Sequence, residues 1–323
     1  DNMLQEKGGV RPYDGNQIDG TVIRYRPNDI LVSNIRPYLK KIWLADTDGG
    51  CSPDVLVFRV KDEAEVDPYY LYQLLSDDDF FDFMMTGKKG AKMPRGNKNM
   101  IPRYPVFVPD MPKQKRIVKE CKKVDAEYAK VRMTIDEYKL KIKAVFERLD
   151  AIMGGAIGDL AHFLLPVKGG NMKVSLDQIH ATGKVPVVTQ EMGTLMAGYA
   201  NTDDAITDVP LIVFGDHSCS FKYIDFPFIR GADGTQLLKF DSRQFDTKFM
   251  YYYLRMQAIE NQDRYERHMK YLKQLHINVP ILADQKKAVA EVEKYEAEIA
   301  KAEALLPTLA ERKRAAILKH LNE

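Results

Sequence analysis

The chain has 323 residues, and its 48 lysines and arginines nearly balance 46 aspartates and glutamates, so a net charge of +2 excludes any bulk-charge argument for nucleic acid. This length is enough for two domains with separate cores. Three scattered cysteines, Cys51, Cys121 and Cys219, predict neither a disulfide framework nor a zinc site. No apolar run approaches the roughly 18 residues of a membrane span, and no signal-peptide pattern opens the chain, so we expect a protein of the reducing cytoplasm.

The first part of the chain is predicted to be rich in strands. Short β-branched runs bounded by Gly, Pro and Asp predict strands at residues 21–25, 30–33, 42–45 and 54–60. An aromatic-rich helix is predicted over 68–83. A basic loop with several glycines begins at Thr86, and a short strand is predicted over 104–108.

A long amphipathic helix is predicted over residues 112–150. Its apolar positions alternate steps of four and three, which is the a/d pattern of a coiled coil: Ile117, Cys121, Val124, Tyr128, Val131, Ile135, Tyr138, Ile142, Val145 and Leu149. At a rise of about 1.5 Å per residue the helix is roughly 55–60 Å long. That length exceeds what packing inside a small domain requires, so the helix is predicted to be a strut.

The strut is followed by a second copy at an offset of 171 residues. Val108-Pro109 corresponds to Val279-Pro280, and Gln114-Lys115 corresponds to Gln285-Lys286. The identities continue along the helix, and Pro307 is predicted to kink or break the second copy near Leu306. We therefore expect the two long helices to pack antiparallel, with Tyr128, Ile135 and Ile299 among their most buried residues.

The second part of the chain is predicted to replay the first. Glycines between Met153 and Gly158 break the strut, and strands over 185–189, 211–214 and 275–279 flank a helix over 245–254. The segment Asp1 to Lys7 looks like an interior start, because the first Met is residue 3. The alignment predicts that the first unit lacks roughly thirty residues at its N-terminal edge. Either the chain is a fragment, or those residues are supplied from elsewhere.

Three enzyme-like patterns are incomplete. Asp67-Pro68-Tyr69-Tyr70 is similar to an adenine-methyltransferase box but lacks its second proline, so a helix start is the preferred interpretation. A nuclease-type metal cluster that uses Asp54 and Lys61 would need an acid where Arg59 stands. The glycines at 154–158 lack a preceding strand, and the six histidines are dispersed, so neither a nucleotide loop nor a metal site is predicted.

Local basic clusters predict contact with DNA or RNA. The loop that begins at Thr86 carries cations without an acid among them, and its glycines and asparagines allow close approach to phosphates and base edges. The second unit has a weaker copy, diluted by Asp263 and Glu266, and each unit also has a polar turn after a strand. The predicted DNA-binding residues are Asn34, Arg36, Tyr38, Lys88, Lys89, Lys92, Arg95, Asn97, Lys98, His217, Ser218, Arg264, Arg267, His268 and Lys270. A solvated loop is the alternative interpretation of each cluster.

The duplicated motifs resemble the specificity subunits of type I restriction-modification systems. They are Asn28-Asp-Ile-Leu-Val-Ser-Asn34, Val106-Phe-Val-Pro109 with Gln114-Lys115, and Ile277-Asn-Val-Pro280 with Gln285-Lys286. The resemblance covers nearly the whole chain. It implies two target-recognition domains that read a bipartite DNA sequence, joined by two antiparallel helices that set the distance between the half-sites.

The same resemblance implies an α+β fold in four segments. The first target-recognition domain would occupy residues 1–108, the first helix 109–155, the second target-recognition domain 156–280 and the second helix 281–323. Such a subunit binds double-stranded DNA, two methylation subunits and two restriction subunits. It has no catalytic residues and binds no cofactor, whereas the partner methylation subunit uses S-adenosylmethionine.

Two other interpretations stay open from the sequence. The chain also fits the C-terminal recognition part of a single polypeptide that fuses methyltransferase and restriction enzyme, which would explain its abrupt start. A coiled-coil scaffold that does not bind DNA would explain the helices but leaves the basic loop without a role.

Overall fold

The computed structural model describes residues 2–13, 15, 20–86, 88, 90, 93–150, 154–169, 172–232, 234–257 and 266–322. The chain divides into two compact units, one formed by Asp1–Arg132 with Ala304–Glu323 and the other by Met133–Glu303. Each unit combines helices with small sheets, which confirms the predicted α+β class. None of the described helices is long and apolar enough to cross a membrane. The four predicted domain segments stay predictions, because each compact unit contains both sheet and long-helix residues.

The first unit is built around a three-stranded antiparallel sheet. Its elements are β1 (Ile23–Tyr25), β2 (Ile30–Ser33), β3 (Ile42–Leu44), β4 (Gly49–Cys51), β5 (Val55–Phe58), α1 (Pro68–Leu75), α2 (Asp78–Thr86) and the start of α3 (Met111–Asp150), with 3-10 turns at Pro37–Leu39 and Ile101–Arg103. The central strand β2 lies between β3 and β5, and β1 pairs with β4. Ile30 and Val32 of β2 pack against Phe80, Phe81 and Met84 of α2. Alternate residues of the strand therefore form the core of this unit.

The aromatic-rich segment forms two helices rather than the single predicted helix over 68–83. Asp67 begins α1 by accepting the backbone N–H groups of Tyr69 and Tyr70, and this confirms that the pattern at 67–70 is a helix start. The helix ends at Leu75, and the hydroxyl of the C-cap residue Ser76 donates to the carbonyl of Tyr72 at 2.6 Å. The carboxylate of Asp77 then accepts the backbone N–H of Asp79 at the start of α2. Local side-chain capping thus interrupts a continuous apolar pattern.

The second unit contains a sheet with the same arrangement. Its elements are β6 (Ala156–Asp159), β7 (Lys173–Val174), β8 (Val185–Val188), β9 (Gly198–Ala200), β10 (Leu211–Gly215), β11 (Phe221–Ile224), β12 (Ile229–Gly231), β13 (Thr235–Leu238), α4 (Thr247–Met256), α5 (Met269–Lys273), β14 (His276–Val279) and α6 (Leu282–Glu303), with 3-10 turns at Leu160–Phe163 and Leu176–Gln178. The central strand β10 lies between β11 and β13, and both pairings are antiparallel. A second sheet has the order β7-β12-β8-β9, and β14 pairs with β6.

A buried glutamine holds the same three groups in each unit. In the first unit Gln114 accepts the backbone N–H of Asp67 and donates to the carbonyls of Glu65 and Pro109. In the second unit Gln285 accepts the backbone N–H of Asp246 and donates to the carbonyls of Gln244 and Pro280. Asp67 and Asp246 each begin a helix, α1 and α4 respectively. The duplication detected in the sequence is therefore present in the hydrogen bonding.

The predicted antiparallel pairing of the long helices is confirmed within each unit. The last helix, α7 (Leu305–Asn322), belongs to the first unit, where its residues pair with α3 in reverse order. The ion pairs there are Glu120 with His320, Asp125 with Lys313 and Glu127 with Arg312. In the second unit the ring of Tyr138 lies 5.8 Å from that of Tyr295, and Arg148 pairs with Glu291 at 2.8 Å.

The expectations for individual helix residues are met in part. The second long helix breaks at Ala304, close to Pro307 in the first turn of α7, which confirms the predicted effect of this proline. Ile135 is buried as predicted, whereas Tyr128 and Ile299 are only partly buried. The guanidinium of Arg132 lies over the ring of Tyr128 and donates to its hydroxyl at 3.0 Å. This tyrosine therefore lies at the polar edge of the row of apolar a/d residues on α3.

Candidate nucleic-acid interface

Both central strands end in polar turns. In the first unit β2 leads into Asn34 and Arg36, and in the second unit β10 leads into Asp216 and His217. Each central strand is buried along almost its full length, so the turn that follows is carried by a rigid element. Equivalent turns on equivalent strands are thus the starting point for both candidate surfaces.

The first polar turn is joined to the end of the basic loop. The backbone N–H of Arg36 donates to the carbonyl of Pro94 at 2.7 Å, and the N–H of Gly96 donates to the carbonyl of Asn34 at 3.2 Å. Ile35 and Arg95 form an isolated antiparallel bridge. The structure therefore brings together two groups of predicted DNA-binding residues that lie about sixty positions apart in the sequence.

Two cations of this surface have partners in a neighbouring turn. The guanidinium of Arg95 binds the carboxylate of Asp54 through two hydrogen bonds of 3.1 Å, and the ammonium of Lys98 donates to the carbonyl of Pro53 at 2.9 Å. The hydrogen bond from Arg95 holds the pKa of Asp54 below its usual value. The basic loop has no acid in its own sequence, but the fold places Asp54 against it. Its effective positive charge is consequently smaller than its composition indicates.

The remaining predicted residues of the first unit differ in their accessibility. Tyr38 and Lys88 are exposed, and Lys88 makes no ion pair with the described residues. Arg36 and Asn97 are partly buried, and the side chain of Asn97 accepts the backbone N–H of Asn99. Lys89 and Lys92 lie outside the described residues, so no position is assigned to either.

Asn34 is a correction to the predicted DNA-binding residues. Its exposed fraction is only 2%, because the chain at Gly96 crosses directly over its side chain. A Cβ atom at position 96 would lie 2.9 Å from the side-chain oxygen of Asn34. This asparagine is therefore part of the support for the turn, and in this conformation it has no surface from which to contact a base.

The second polar turn is organised by a buried aspartate. The carboxylate of Asp216 accepts the backbone N–H of Met269 at 2.7 Å and the side-chain amide of Gln236 at 3.3 Å. Its carbonyl accepts the backbone N–H of His268 at 2.9 Å. The second basic segment is thus fixed to the turn after β10, as the first basic segment is fixed to the turn after β2.

Gln190 supports the other side of this turn. Its side-chain oxygen accepts the backbone N–H of His217 at 3.0 Å, and its carbonyl accepts the hydroxyl of Ser218 at 2.7 Å. The close approach requires Gly215, since a Cβ atom there would lie 2.0 Å from the hydroxyl oxygen of Ser218. Ser218 is therefore engaged within the protein, while the partly buried ring of His217 lies 3.3 Å from the carbonyl of Glu266.

The basic residues of the second unit differ in their exposure to solvent and in their partners. Arg267 is exposed, whereas Lys270 pairs with Glu266 at 3.6 Å and lies over the ring of Tyr271. His268 is a second correction, because its exposed fraction is 2% and its ring nitrogen Nδ1 lies 2.9 Å from the carbonyl of Asp216. Arg264 lies outside the described residues. The sequence predicted that Glu266 reduces the positive charge of this cluster, and the ion pair between Glu266 and Lys270 is consistent with that prediction.

Sequence reasoning did not assign the residues that hold the turns in place. Asp54, Gln190 and Gln236 act through hydrogen bonds to residues about 20 to 40 positions away. A polar residue at a strand end is the one signal that could have pointed to Gln190, which follows β8. Within the described ranges, no group of three or more His, Cys, Asp or Glu residues is arranged to hold a metal ion.

Together the two surfaces offer donors suited to nucleic acid. Cations such as Lys88 and Arg267 can neutralise phosphates without reading sequence. Three partly buried side chains can hydrogen-bond to base edges: the guanidinium of Arg36, the amide of Asn97 and the imidazole of His217. The side chains differ between the two equivalent turns, so the two surfaces would not read the same sequence.

Comparison with known proteins finds sequence similarity to a curated restriction enzyme subunit. The chain is 30% identical over 97 residues to the type I restriction enzyme EcoDI specificity subunit of Escherichia coli. The match covers 30% of this chain and 21% of the E. coli protein, so it spans about a fifth of that relative. It supports the resemblance to specificity subunits seen in the motifs. No protein-family model matches the chain.

Comparison with solved structures gives three matches with TM-scores below 0.5. The S subunit of a type I restriction-modification system from M. genitalium is 16% identical with a TM-score of 0.47, covering 99% of this chain and 90% of that chain. The HsdS subunit from Thermoanaerobacter tengcongensis is 21% identical with a TM-score of 0.40, covering 91% and 80%. The third match is a chain from a structure that describes complex assembly and conformational transition of the type I restriction-modification system. It is 20% identical in sequence with a TM-score of 0.47, and the match covers 93% of this chain and 81% of that chain.

Proposed function

We propose that this chain is a DNA-specificity subunit of a type I restriction-modification system. The observation that carries the proposal is that the same framework occurs twice, with different side chains at the same turn. In both units a central strand ends in a polar turn, and a basic segment is hydrogen-bonded to that turn. Two related surfaces with unlike side chains are what recognition of two unlike half-sites requires. The similarity to the E. coli specificity subunit supports the same assignment.

The two kinds of DNA contact are assigned to different residues. Phosphate contacts fall to the cations, namely Lys88, Lys89, Lys92, Arg95, Lys98, Arg264, Arg267 and Lys270. Base contacts fall to the partly buried or exposed residues of the turns, namely Arg36, Tyr38, Asn97 and His217. Ser218 supports its turn instead, because its hydroxyl donates to the carbonyl of Gln190. Asn34 and His268 are left out of both groups because they are buried. They support the turns that present the other residues.

The proposed subunit works without catalytic residues of its own. It would direct methylation and restriction subunits, two of each, to the DNA sequence that it binds. S-adenosylmethionine would then be bound by the methylation subunit and not by this chain. The incomplete methyltransferase-like pattern at 67–70 agrees with this division, because Asp67 is used to begin α1.

The proposal is tested by the salt dependence of duplex binding. We expect the purified chain to bind a mixed-sequence duplex with an affinity that falls as salt is raised. Lys88→Ala should weaken binding to all duplexes alike and lower the salt slope by about one unit, because it removes one phosphate contact. Lys143→Ala is the matched control, since Lys143 is an exposed lysine of α3 paired with Glu147.

Two outcomes would contradict the proposal. Absence of duplex binding at low salt would exclude a DNA-specificity role for the chain. An equal effect of Lys88→Ala and Lys143→Ala on the salt slope would show that binding follows general charge and not the proposed surface.

A further inference from the structure

We infer that a cleft in the second unit binds a small carboxylate with an apolar body, and that Lys222 is the residue that binds the carboxylate group. The cleft has a volume of about 700 Å³. It lies between the loop that joins β8 to β9, the strand β11 and the end of α4, which contribute Leu195, Tyr223 and Arg255 respectively. Small-molecule sites in proteins have volumes of this order. The inference depends on the packing of the second unit and not on DNA binding.

Lys222 occupies an inward position of β11. It pairs with Val213 of β10, and residues directly opposite one another in an antiparallel sheet share a face. Ile224, two residues further along β11, lies on that face as well. Val213 and Ile224 are fully buried and belong to one apolar core with Val188. The strand therefore places Lys222 on the face that forms an apolar core, and only 7% of this residue is exposed.

The ammonium of Lys222 is not satisfied within the described part of the chain. Its nitrogen is buried and has no hydrogen-bond partner there. Burial lowers the pKa of this ammonium, and the charge of Glu191, which also lines the cleft, acts in the opposite direction. Glu191 is nevertheless exposed to solvent and makes no hydrogen bond to Lys222. A buried charge without a partner is unfavourable, so this position is suited to an anion that a ligand supplies.

The other cation among the residues that line the cleft already has partners. The guanidinium of Arg255 pairs with the carboxylate of Glu296 at 3.3 Å and lies over the ring of Tyr251. Lys222 is therefore the lining cation that remains to be neutralised. A single ammonium is matched by one negative charge, and a carboxylate can accept its charge-assisted hydrogen bond.

Apolar side chains form much of the remaining wall. Met192 and Leu195 have exposed fractions of 70% and 50%. Phe221 and Tyr223 of β11 and Tyr251 of α4 also line the cleft. A ligand that covers these side chains removes apolar surface from water, which favours binding. Apolar walls beside one buried cation thus match a ligand that combines an apolar body with a single carboxylate.

The test uses the complete 323-residue chain and three small probes at constant ionic strength. Benzoate combines a carboxylate with an apolar ring, benzamide keeps the ring without the charge, and acetate keeps the charge without the ring. A titration followed by ligand-observed NMR should show saturable binding of benzoate. Benzamide and acetate should each bind at least about tenfold more weakly, because each lacks one of the two interactions.

Lys222→Met tests the assignment of the carboxylate to this residue. The variant should bind benzoate no more tightly than benzamide, because it removes the charge and keeps an apolar side chain of similar length. Its thermal unfolding midpoint should be no lower than that of the parent chain, which checks that the variant folds. Lys184→Met is the matched control and should bind benzoate as the parent does, since Lys184 is an exposed lysine of the same unit that pairs with Asp203 at 3.0 Å.

Glu191→Gln tests the same electrostatics at an exposed position, where substitution has little effect on folding. It should strengthen the binding of benzoate and leave that of benzamide unchanged, because it removes a carboxylate whose charge acts on Lys222. Equal binding of benzoate and benzamide to the parent chain would overturn the inference. So would a preference for benzoate that persists in Lys222→Met, or weaker binding of benzoate to Glu191→Gln.

Discussion

The side-chain oxygen of Gln285 accepts the backbone N–H of Asp246 at 2.8 Å. Asp246 begins α4, and Gln285 lies in the first turn of α6, so this contact links the start of a recognition-unit helix to the start of a long helix. The amide nitrogen of Gln285 completes the link by donating to the carbonyls of Gln244 and Pro280. A side-chain amide is required at this position, because its oxygen must accept one hydrogen bond while its nitrogen donates two.

Replacement of this glutamine should therefore destabilise the second unit. We expect Gln285→Ala to lower the free energy of unfolding by about 3 kcal/mol, since it leaves one buried donor and two buried acceptors without partners. Gln285→Glu should also destabilise the protein, because a carboxylate can accept from Asp246 but cannot donate to the two carbonyls. Urea denaturation measures both effects, and Lys286→Ala at the exposed neighbouring position is the control. A Gln285→Glu variant as stable as the parent would show that the donated hydrogen bonds contribute nothing.

The long helix should be most sensitive to truncation at its buried positions. Ile135 is buried in the described structure of α3, so Ile135→Ala should cost about 2–4 kcal/mol through lost burial and the cavity that remains. Leu140 lies on the same helix with its side chain exposed, and Leu140→Ala should change stability little. Equal losses in the two variants, measured by urea denaturation, would contradict the observed orientation of the helix.

Asp54 should restrain DNA binding by the first unit. Asp54→Asn removes the carboxylate that competes with a phosphate for the guanidinium of Arg95. We expect tighter binding to all duplexes at low salt and a salt slope steeper by about one unit. The double variant Asp54→Asn with Arg95→Ala should lose this gain. Stability should change by no more than about 1 kcal/mol, because both partners are more than a third exposed. If the double variant keeps the gain, Arg95 is not the residue released.

Lys222 should destabilise the second unit in a way that depends on pH. Its side-chain nitrogen is buried and has no hydrogen-bond partner among the described residues. Burial lowers the pKa of its ammonium, while the charge of Glu191 acts in the opposite direction. The unfolded state therefore binds more protons than the folded state between the lowered pKa and the usual value of about 10.4. The free energy of unfolding should consequently rise with pH across that interval.

Lys222→Met tests this expectation with a side chain of similar length. It should raise the free energy of unfolding by about 1–3 kcal/mol at pH 7, because a buried charge whose nitrogen lacks a described hydrogen-bond partner is replaced by an apolar group. In this variant, the free energy of unfolding should also rise less steeply with pH than in the parent, because the residue no longer titrates. Urea denaturation between pH 7 and about 10 measures both properties, within the interval set by the usual lysine pKa. A variant less stable than the parent at pH 7 would indicate that the ammonium is satisfied within the folded protein.

Local spacing in the sequence determined the repeated architecture. The steps of four and three in α3, the Asp-Pro helix start at Asp67 and the offset that relates Gln114 to Gln285 all depend on neighbours within one element or on identity between two copies. Such patterns are set by helix geometry and capping, which act over a few residues. For this reason the duplication, the antiparallel long helices and the break near Pro307 could be predicted.

Tertiary structure alone decided which polar residues are accessible and which cations are free. The burial of Asn34 under Gly96, the pairing of Arg95 with Asp54 and the enclosure of His268 beside Asp216 each join segments far apart in the chain. These contacts depend on the order of strands in a sheet and on the path of the connecting loops, which no local periodicity specifies. The sequence indicated where charged and polar groups are concentrated, but only the packing of distant turns against one another fixed which of those groups face solvent.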